Sequence, residues 1–369
     1  MLQGMTDRPR RVLMTVDAVG GIWRYAMNAA AALRARGISV VFAGLGPMPS
    51  AVQSREAEAL GELVWLDAQL DWMATFEAEL EGLRGTLEGL VAEREIDLLH
   101  LNLPSQACGL RVPCPVVVVS HSCVVSWFRA VRGCEVPAGW AWQRRRNRAG
   151  FDNADAVVAP SASHAALLRE CYGKIERMAL VPNAVDGRDA APKEDFVLAA
   201  GRWWDEGKNG AVLDSAAGDI SWPVLVVGPL TGQNGQKIEM RHVAALGERP
   251  NRYVRDLMAR AAIFVSPSTY EPFGLAALEA AHSGAGLVLA DIPTYRELWD
   301  GAALFADPRD ASAIAMAVNR LANDAGLRRD HGLRAARRAE RFAPEAQAEA
   351  LLKVYQEAAE FRAAAAPAV

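Results

Sequence analysis

Short, almost uncharged apolar runs alternate along this chain with longer segments of helical spacing, and that alternation limits the fold more than any other feature. "RVLMTV" (11–16) is followed by "GGIWRYAMNAAAALRARG", which ends at Gly37, and then by "ISVVFAG" (38–44). This reads as strand, glycine turn, helix, strand. The cycle recurs through "IDLLHLN" (96–102), "CPVVVVSHS" (114–122), "ADAVVAPS" (154–161, with a helix opened by Ser161 or Ser163) and "KIERMALVPNAVD" (174–186). It then restarts with "DFVLAAGR" (195–202), "SWPVLVVGPL" (221–230), "AAIFVSPS" (261–268), "GAGLVLADIP" (284–293) and "AALFAD" (302–307). Strands this apolar, separated by helices, belong in parallel sheets covered on both faces. The expected fold class is α/β, with two Rossmann-like βαβ domains. The charged, Pro- and Gly-bearing segment "NAVDGRDAAPKED" (183–195) reads as their linker, giving domains at 1–186 and 187–344. A further helix follows Pro344, and the final "AAAAPAV" reads as frayed.

Composition narrows the function. With 369 residues the chain is long enough for two cores. A net charge of −4 argues against a general nucleic-acid binder. Five cysteines without CxxC spacing argue against a disulfide framework or a structural zinc site, and fit a reducing cytoplasm. The N-terminus has no long apolar segment, and no run reaches the roughly 18 residues of a membrane span. Contact with the inner membrane face stays open.

Ligands of open α/β sheets bind beyond the carboxyl ends of the strands. The turns Asp17–Gly21, His121–Ser122, Ser161–Ser163, Asn183–Asp186, Gly201–Lys208, Gly228–Thr231, Ser268–Gly274 and Asp291–Tyr295 are therefore the candidates. One of them opens "STYEPFGLAALEAAHSG" (268–284), an apolar segment that keeps Glu271 and Glu279. Carboxylates among apolar neighbours need partners. Pro272 would open a helix whose first amides, at Phe273, Gly274 and Leu275, suit a phosphate. Glu279, further along, could take two hydrogen bonds from a vicinal diol such as a ribose. Glu271 would face what lies beyond the phosphates. Alternatively, both are solvated or ion-paired surface residues. "GRWWDEGKN" (201–209) adds Arg202 and Lys208 at another strand end, where two cations could neutralise a diphosphate.

Together these residues resemble the retaining, GT-B-fold glycosyltransferases of family 4. The resemblance runs through Glu271 and Glu279, seven residues between them, through "GRWWDEGKN", "VPNAVD" (181–186) and "DIPTYRELWDGAALFADPRD" (291–310). It is stronger in the C-terminal half. It implies two domains facing across a cleft, with the acceptor on the N-terminal side and the nucleotide sugar on the C-terminal side. It implies that the tail helix, 345–369, packs back on the first domain. It implies catalytic roles for His121, Arg202, Lys208 and Glu271: the cations grip the diphosphate, and Glu271 and His121 lie at the sugar. Donor binding falls to Gly20, Gly21, Phe273, Gly274, Leu275 and Glu279, the last holding the ribose. No cofactor or metal is expected beyond the nucleoside-diphosphate sugar, and no Asp-x-Asp triplet occurs. The acceptor, whether glycan, lipid-linked or small molecule, stays open, as do base and sugar.

The chain departs from the family pattern at Trp203 and Trp204, which either pack the strand end or narrow the donor site. It departs again in the long, amide-rich "VGPLTGQNG" (227–235). A sugar-nucleotide epimerase on the same scaffold is the alternative function. A dehydrogenase is disfavoured because "VDAVGGIW" lacks GxGxxG spacing and no acid closes "VVFAGLG". A non-catalytic binder would not need the whole residue set. His100, His164, His242, His282 and His331 show no metal spacing. "WAWQRRRNR" (140–148) is a candidate anionic-surface contact, although a solvated helix face is the simpler account. "LRRDHGLRAARRAERF" (327–342) reads as a solvated helix.

Overall fold

The computed structural model describes residues 9–187, 191–233 and 235–365; the extreme N-terminus, part of the expected linker, residue 234 and the last four residues, on which part of the expected fraying falls, lie outside them. The chain divides into two units, the first ending at Ala184 and resuming at Pro344, the second running from Val185 to Ala343.

The first unit carries a seven-stranded sheet. Its strands are β1 (Arg11–Asp17), β2 (Ser39–Leu45), β3 (Glu62–Trp65), β4 (Leu98–Leu101), β5 (Val116–Val119), β6 (Ala156–Ala159) and β7 (Met178–Leu180). They lie in the order β3-β2-β1-β4-β5-β6-β7, and neighbouring strands pair in parallel. β3 went unread in the sequence because it is a short, only half-buried edge strand of four residues. β7 is much shorter than the segment read as a strand. Along β1, Leu13 packs on one face with Val41, Leu99 and Val118. Val12, Met14 and Val16 pack on the other with Trp23, Leu351 and Tyr355. Both faces are covered, as continuous apolar strands require. Leu351 and Tyr355 belong to the Pro344–Ala365 helix, which lies against the Gly21–Arg34 helix and the sheet.

The second unit carries six strands: β8 (Glu194–Ala200), β9 (Val224–Val227), β10 (Ala244–Ala245), β11 (Ala261–Ser266), β12 (Gly286–Ala290) and β13 (Ala303–Ala306). Their order is β10-β9-β8-β11-β12-β13, again parallel. Phe264 packs with Leu198, Leu287 and Leu278 on one face; Ile263 and Val265 pack with Val197, Val288 and Val318 on the other.

Strand order reverses direction in each sheet, between β1 and β4 and between β8 and β11. Loops leaving adjacent strands at such a point diverge to opposite faces and open a crevice at the carboxyl ends. In the first unit these strands lead to Gly20–Gly21 and Asn102. In the second they lead to Arg202–Lys208 and Glu271.

Candidate active site

In the second unit the site is built by two loops stitched together. The turn after β8 approaches the turn after β9 so closely that a Cβ at Gly228 would lie 1.9 Å from the Gly201 carbonyl oxygen. Gly228 has φ +122°, a conformation that other residues resist. Trp203 is buried, and its Nε1 donates to the Val227 carbonyl at 3.0 Å. Trp204 lies with its ring 5.6 Å from the Arg202 guanidinium and directly over Gly232. Of the two accounts open for this pair, packing of the strand end therefore holds for Trp203.

Asn209 adopts φ +59° and spans to the neighbouring loops. Its Nδ2 donates to the carbonyls of Pro267 at 3.0 Å and Pro308 at 2.6 Å. Thr269 N–H donates to the Gly207 carbonyl at 2.9 Å. These bonds bring the ends of β8 and β11 together, so that Lys208 Nζ forms an ion pair with Glu271 Oε1. The side chains are 20% and 13% exposed, so the pair is largely desolvated. Ser268 Oγ donates to the same carboxylate oxygen at 3.1 Å. Arg202 makes a longer pair with Asp205 at 3.7 Å.

The helix beyond Glu271 begins later than its sequence suggests. It runs Leu275–His282 with Gly274 as its N-cap at φ +91°, so Pro272 and Phe273 precede it. Only Leu275 of the three expected residues lies in the first turn. Phe273 is buried, edge-on to Phe342 at 5.4 Å. Tyr295 explains Gly274: a Cβ there would meet the tyrosine ring at 2.8 Å. Tyr295 is buried and hydrogen-bonded to Ser266 Oγ at 2.6 Å, so it supports the loop from beneath. Burial, then the Glu271 charge, raise its pKa well above the phenolic range. Arg296 is held by Asp291 at 2.6 Å. Glu279 is half-buried on the helix itself.

In the first unit Gly20 caps the Gly21–Arg34 helix. His121 follows β5, half-buried, with Nε2 2.9 Å from Asn102 Oδ1 and its ring against Tyr25. Burial, then the neighbouring His100 and His164, lower its pKa to about 3, so the imidazole is neutral at physiological pH. His100 is a core residue between the Tyr25 hydroxyl at 3.2 Å and the Tyr355 hydroxyl at 2.7 Å. Ser161, rather than Ser163, opens the helix after β6 by accepting from His164 N–H at 3.0 Å. Sequence reasoning gave no role to Asn102, Tyr25 or Asn209, because each acts through contacts distant in sequence. Ser268 lay in a candidate turn, but its bond to Glu271, three residues on, was not foreseen.

The arginines of 140–148 are engaged on their own surface: Arg144 with Glu135, Arg145 and Arg146 with Glu77, and Arg148 with Asp152. Arg144, Arg145 and Arg148 make the solvated, ion-paired helix face, whereas Arg146 is buried and donates to the Leu80 carbonyl. Among the described residues no helix is long and apolar enough to cross a membrane, and no group of three or more His, Cys, Asp or Glu could hold a metal ion. All five cysteines are free.

Residues 19–188 match the family model described as Glycosyltransferase Family 4, and residues 194–324 the model described as Glycosyl transferases group 1. The chain is 32% identical over 120 residues to the O-antigen chain mannosyltransferase B of Escherichia coli, a match spanning 32% of this chain and 26% of that protein. Among solved structures it resembles a sucrose-phosphate synthase from Thermosynechococcus elongatus, with TM-score 0.80, 19% identity, and 94% and 98% of the two chains covered. It also resembles Anabaena HepE in complex with UDP-glucose, with TM-score 0.70, 17% identity and 96% and 99% coverage. Two parallel Rossmann-like sheets of this order, with these matches, define a GT-B glycosyltransferase. The two family models together with the GT-B neighbours support a family 4-type glycosyltransferase.

Proposed function

We propose that this chain is a retaining glycosyltransferase that moves a sugar from a nucleoside-diphosphate-sugar donor to an acceptor hydroxyl without needing a metal ion. The observation that carries the reading is the desolvated Lys208–Glu271 pair at the β8/β11 crevice, beside the Gly274-capped helix. As the sugar leaves through an oxocarbenium-like transition state, negative charge grows on the departing diphosphate. Lys208, Arg202 and the helix N-terminus at Leu275 stabilise that charge, doing what a divalent ion does elsewhere. Before the donor arrives, Glu271 neutralises Lys208. A bound diphosphate takes over that role and frees the Glu271 carboxylate for the sugar hydroxyls. Glu279 holds the ribose diol. Phe273 and Gly274 shape the turn around the donor, and Gly20 and Gly21 allow its phosphates or the acceptor a close backbone approach. His121, neutral, serves the sugar and acceptor. Same-face attack gives retention and requires no covalent nucleophile. The acceptor binds the first unit. HepE's complex with UDP-glucose makes UDP the first nucleotide to try. The free cysteines suit a cytoplasmic enzyme.

The test is thermal denaturation with UDP, GDP, ADP, TDP and NAD, each with and without EDTA. A ligand at about 100 times its Kd adds roughly 2.7 kcal/mol. One nucleoside diphosphate should raise the melting temperature regardless of EDTA. A shift with NAD alone would overturn the donor assignment, and a shift abolished by EDTA would overturn metal independence. The anomeric configuration of the product decides retention. Donor incubated without acceptor should return unepimerised.

A further inference from the structure

We propose that Asn102 is a positioning residue that fixes the tautomer of His121, so that His121 offers the substrate a bare Nδ1 lone pair. This rests on His121 being a substrate-contacting group. β1 and β4 pair in register from Val12 with Leu98 to Met14 with His100, so that Thr15, one residue further on, is a diagonal neighbour of Asn102 at the strand ends. Asn102 N–H donates to Thr15 Oγ1 at 2.8 Å, and Asn102 Nδ2 donates to the Thr15 carbonyl at 2.6 Å. Thr15 Oγ1 donates in turn to Gln106 Oε1 at 2.7 Å. Thr15, Asn102 and Gln106 are 0%, 1% and 5% exposed.

This network decides the protonation state by elimination. The Thr15 carbonyl can only accept, so the amide nitrogen of Asn102 must face it and the amide oxygen must face His121 Nε2. That oxygen also can only accept, so Nε2 carries the hydrogen. In a neutral imidazole the other nitrogen, Nδ1, is then an acceptor, and among the described residues it has no partner. The groups facing His121 keep it neutral. Tyr25 packs against the ring at 4.3 Å from its own helix, His100 comes from β4 and His164 from the Ala162–Tyr172 helix. Burial and the two histidines lower its pKa, and none of these neighbours is an anion at neutral pH. Buried polar networks are costly unless every member is satisfied. Here the half-exposed member is the histidine. An Nδ1 acceptor orients a sugar or acceptor hydroxyl and cannot donate to a phosphate, so His121 acts on the hydroxyl side of the reaction.

The experiment records imidazole ¹⁵N shifts of His121 in the free wild-type protein, Asn102→Ala and Asn102→Asp, with steady-state kinetics on each. The wild type should show the Nε2–H tautomer. Asn102→Ala should give mixed tautomers and a kcat lower by roughly 10–100-fold, with donor KM little changed. Asn102→Asp, nearly isosteric should the alanine variant fail to fold, should raise the His121 midpoint by about 1–3 pH units and shift the pH–rate profile with it. An unaltered Nε2–H tautomer in Asn102→Ala, or an unaltered titration in Asn102→Asp, overturns the assignment. A changed tautomer with unchanged kcat overturns the positioning role and removes His121 from the chemistry. Nucleotide-induced stabilisation of the second unit would be untouched, so the two failures are distinguishable.

Discussion

Replacing Lys208 by alanine separates two effects that the ion pair combines. Glu271 is 13% exposed and would keep only the Ser268 hydroxyl, at 3.1 Å, as a neutral partner. Leaving a buried acceptor without its donor costs about 1–3 kcal/mol of stability. The catalytic loss has another origin. A preorganised charge aimed at the departing phosphate is worth roughly 100–1,000-fold in kcat, about 3–4 kcal/mol. Lys208→Ala should therefore melt earlier and turn over more than about 100-fold more slowly. The double variant Lys208→Met, Glu271→Gln tests the division. Removing both charges removes the orphaned carboxylate, so most of the stability should return. Activity should not, because the phosphate still lacks its cation. The assay is donor turnover by released nucleoside diphosphate, alongside thermal denaturation of each variant. A folded Lys208→Ala protein with wild-type kcat would refute the charge-stabilisation argument. So would recovery of turnover in the double variant, which would make the pair purely structural.

Glu279→Ala should raise donor KM more than it lowers kcat, since a ribose contact is made equally in ground and transition states; a loss confined to kcat would contradict the ribose role. Gly274→Ala forces an alanine into φ +91° and its Cβ to 2.8 Å from the buried Tyr295 ring, at a cost of roughly 1–3 kcal/mol; an unchanged melting temperature would show that the turn is not constrained. His100, His121 and His164 have pKa values lowered from 6.5 to about 4, 3 and 4, by burial first in each case. They stay neutral in the native state while the unfolded chain takes up protons below pH 6.5, so stability should fall as pH drops from there toward 4. Each histidine contributes a slope of up to about 1.4 kcal/mol per pH unit. Asp71, whose carboxyl is raised by burial, works in the opposite sense. A melting temperature flat from pH 7 to 5 would refute the reading of the three as neutral in the native state.

Much of the fold was legible because a strand buried on both faces must be apolar throughout, and β1, β5, β11 and β12 announce themselves in that way. β3 and β10 did not, being edge strands with half-buried or exposed faces. The two loops carrying Lys208 and Glu271 were legible for a topological reason: the carboxyl ends of strands are where a parallel sheet exposes its turns. What joins them was not. Asn209 reaches the carbonyls of Pro267 and Pro308 across 58 and 99 residues of sequence, and no local pattern encodes either contact. The network beneath His121 is equally non-local, since Thr15 and Asn102 meet only because β1 and β4 are neighbours across the strand-order reversal.

Glu271 and Glu279 show how conformation divides what sequence presents as a pair. Eight positions apart on a continuous helix, they would lie a little over two turns apart and about 80° round the axis from one another. The left-handed turn at Gly274 breaks the helix between them, and Tyr295 beneath it leaves no room for a side chain there. Glu271 therefore sits in a loop, where its carboxylate can meet Lys208 and Ser268, and Glu279 sits on the helix. A loop carboxylate held by an ammonium can exchange partners when a phosphate arrives. A carboxylate fixed on a helix is better suited to holding a diol in one place. That difference in mounting supports the proposed assignment of Glu271 to the sugar and Glu279 to the ribose, and the KM-weighted effect expected of Glu279→Ala is what tests the ribose half of it.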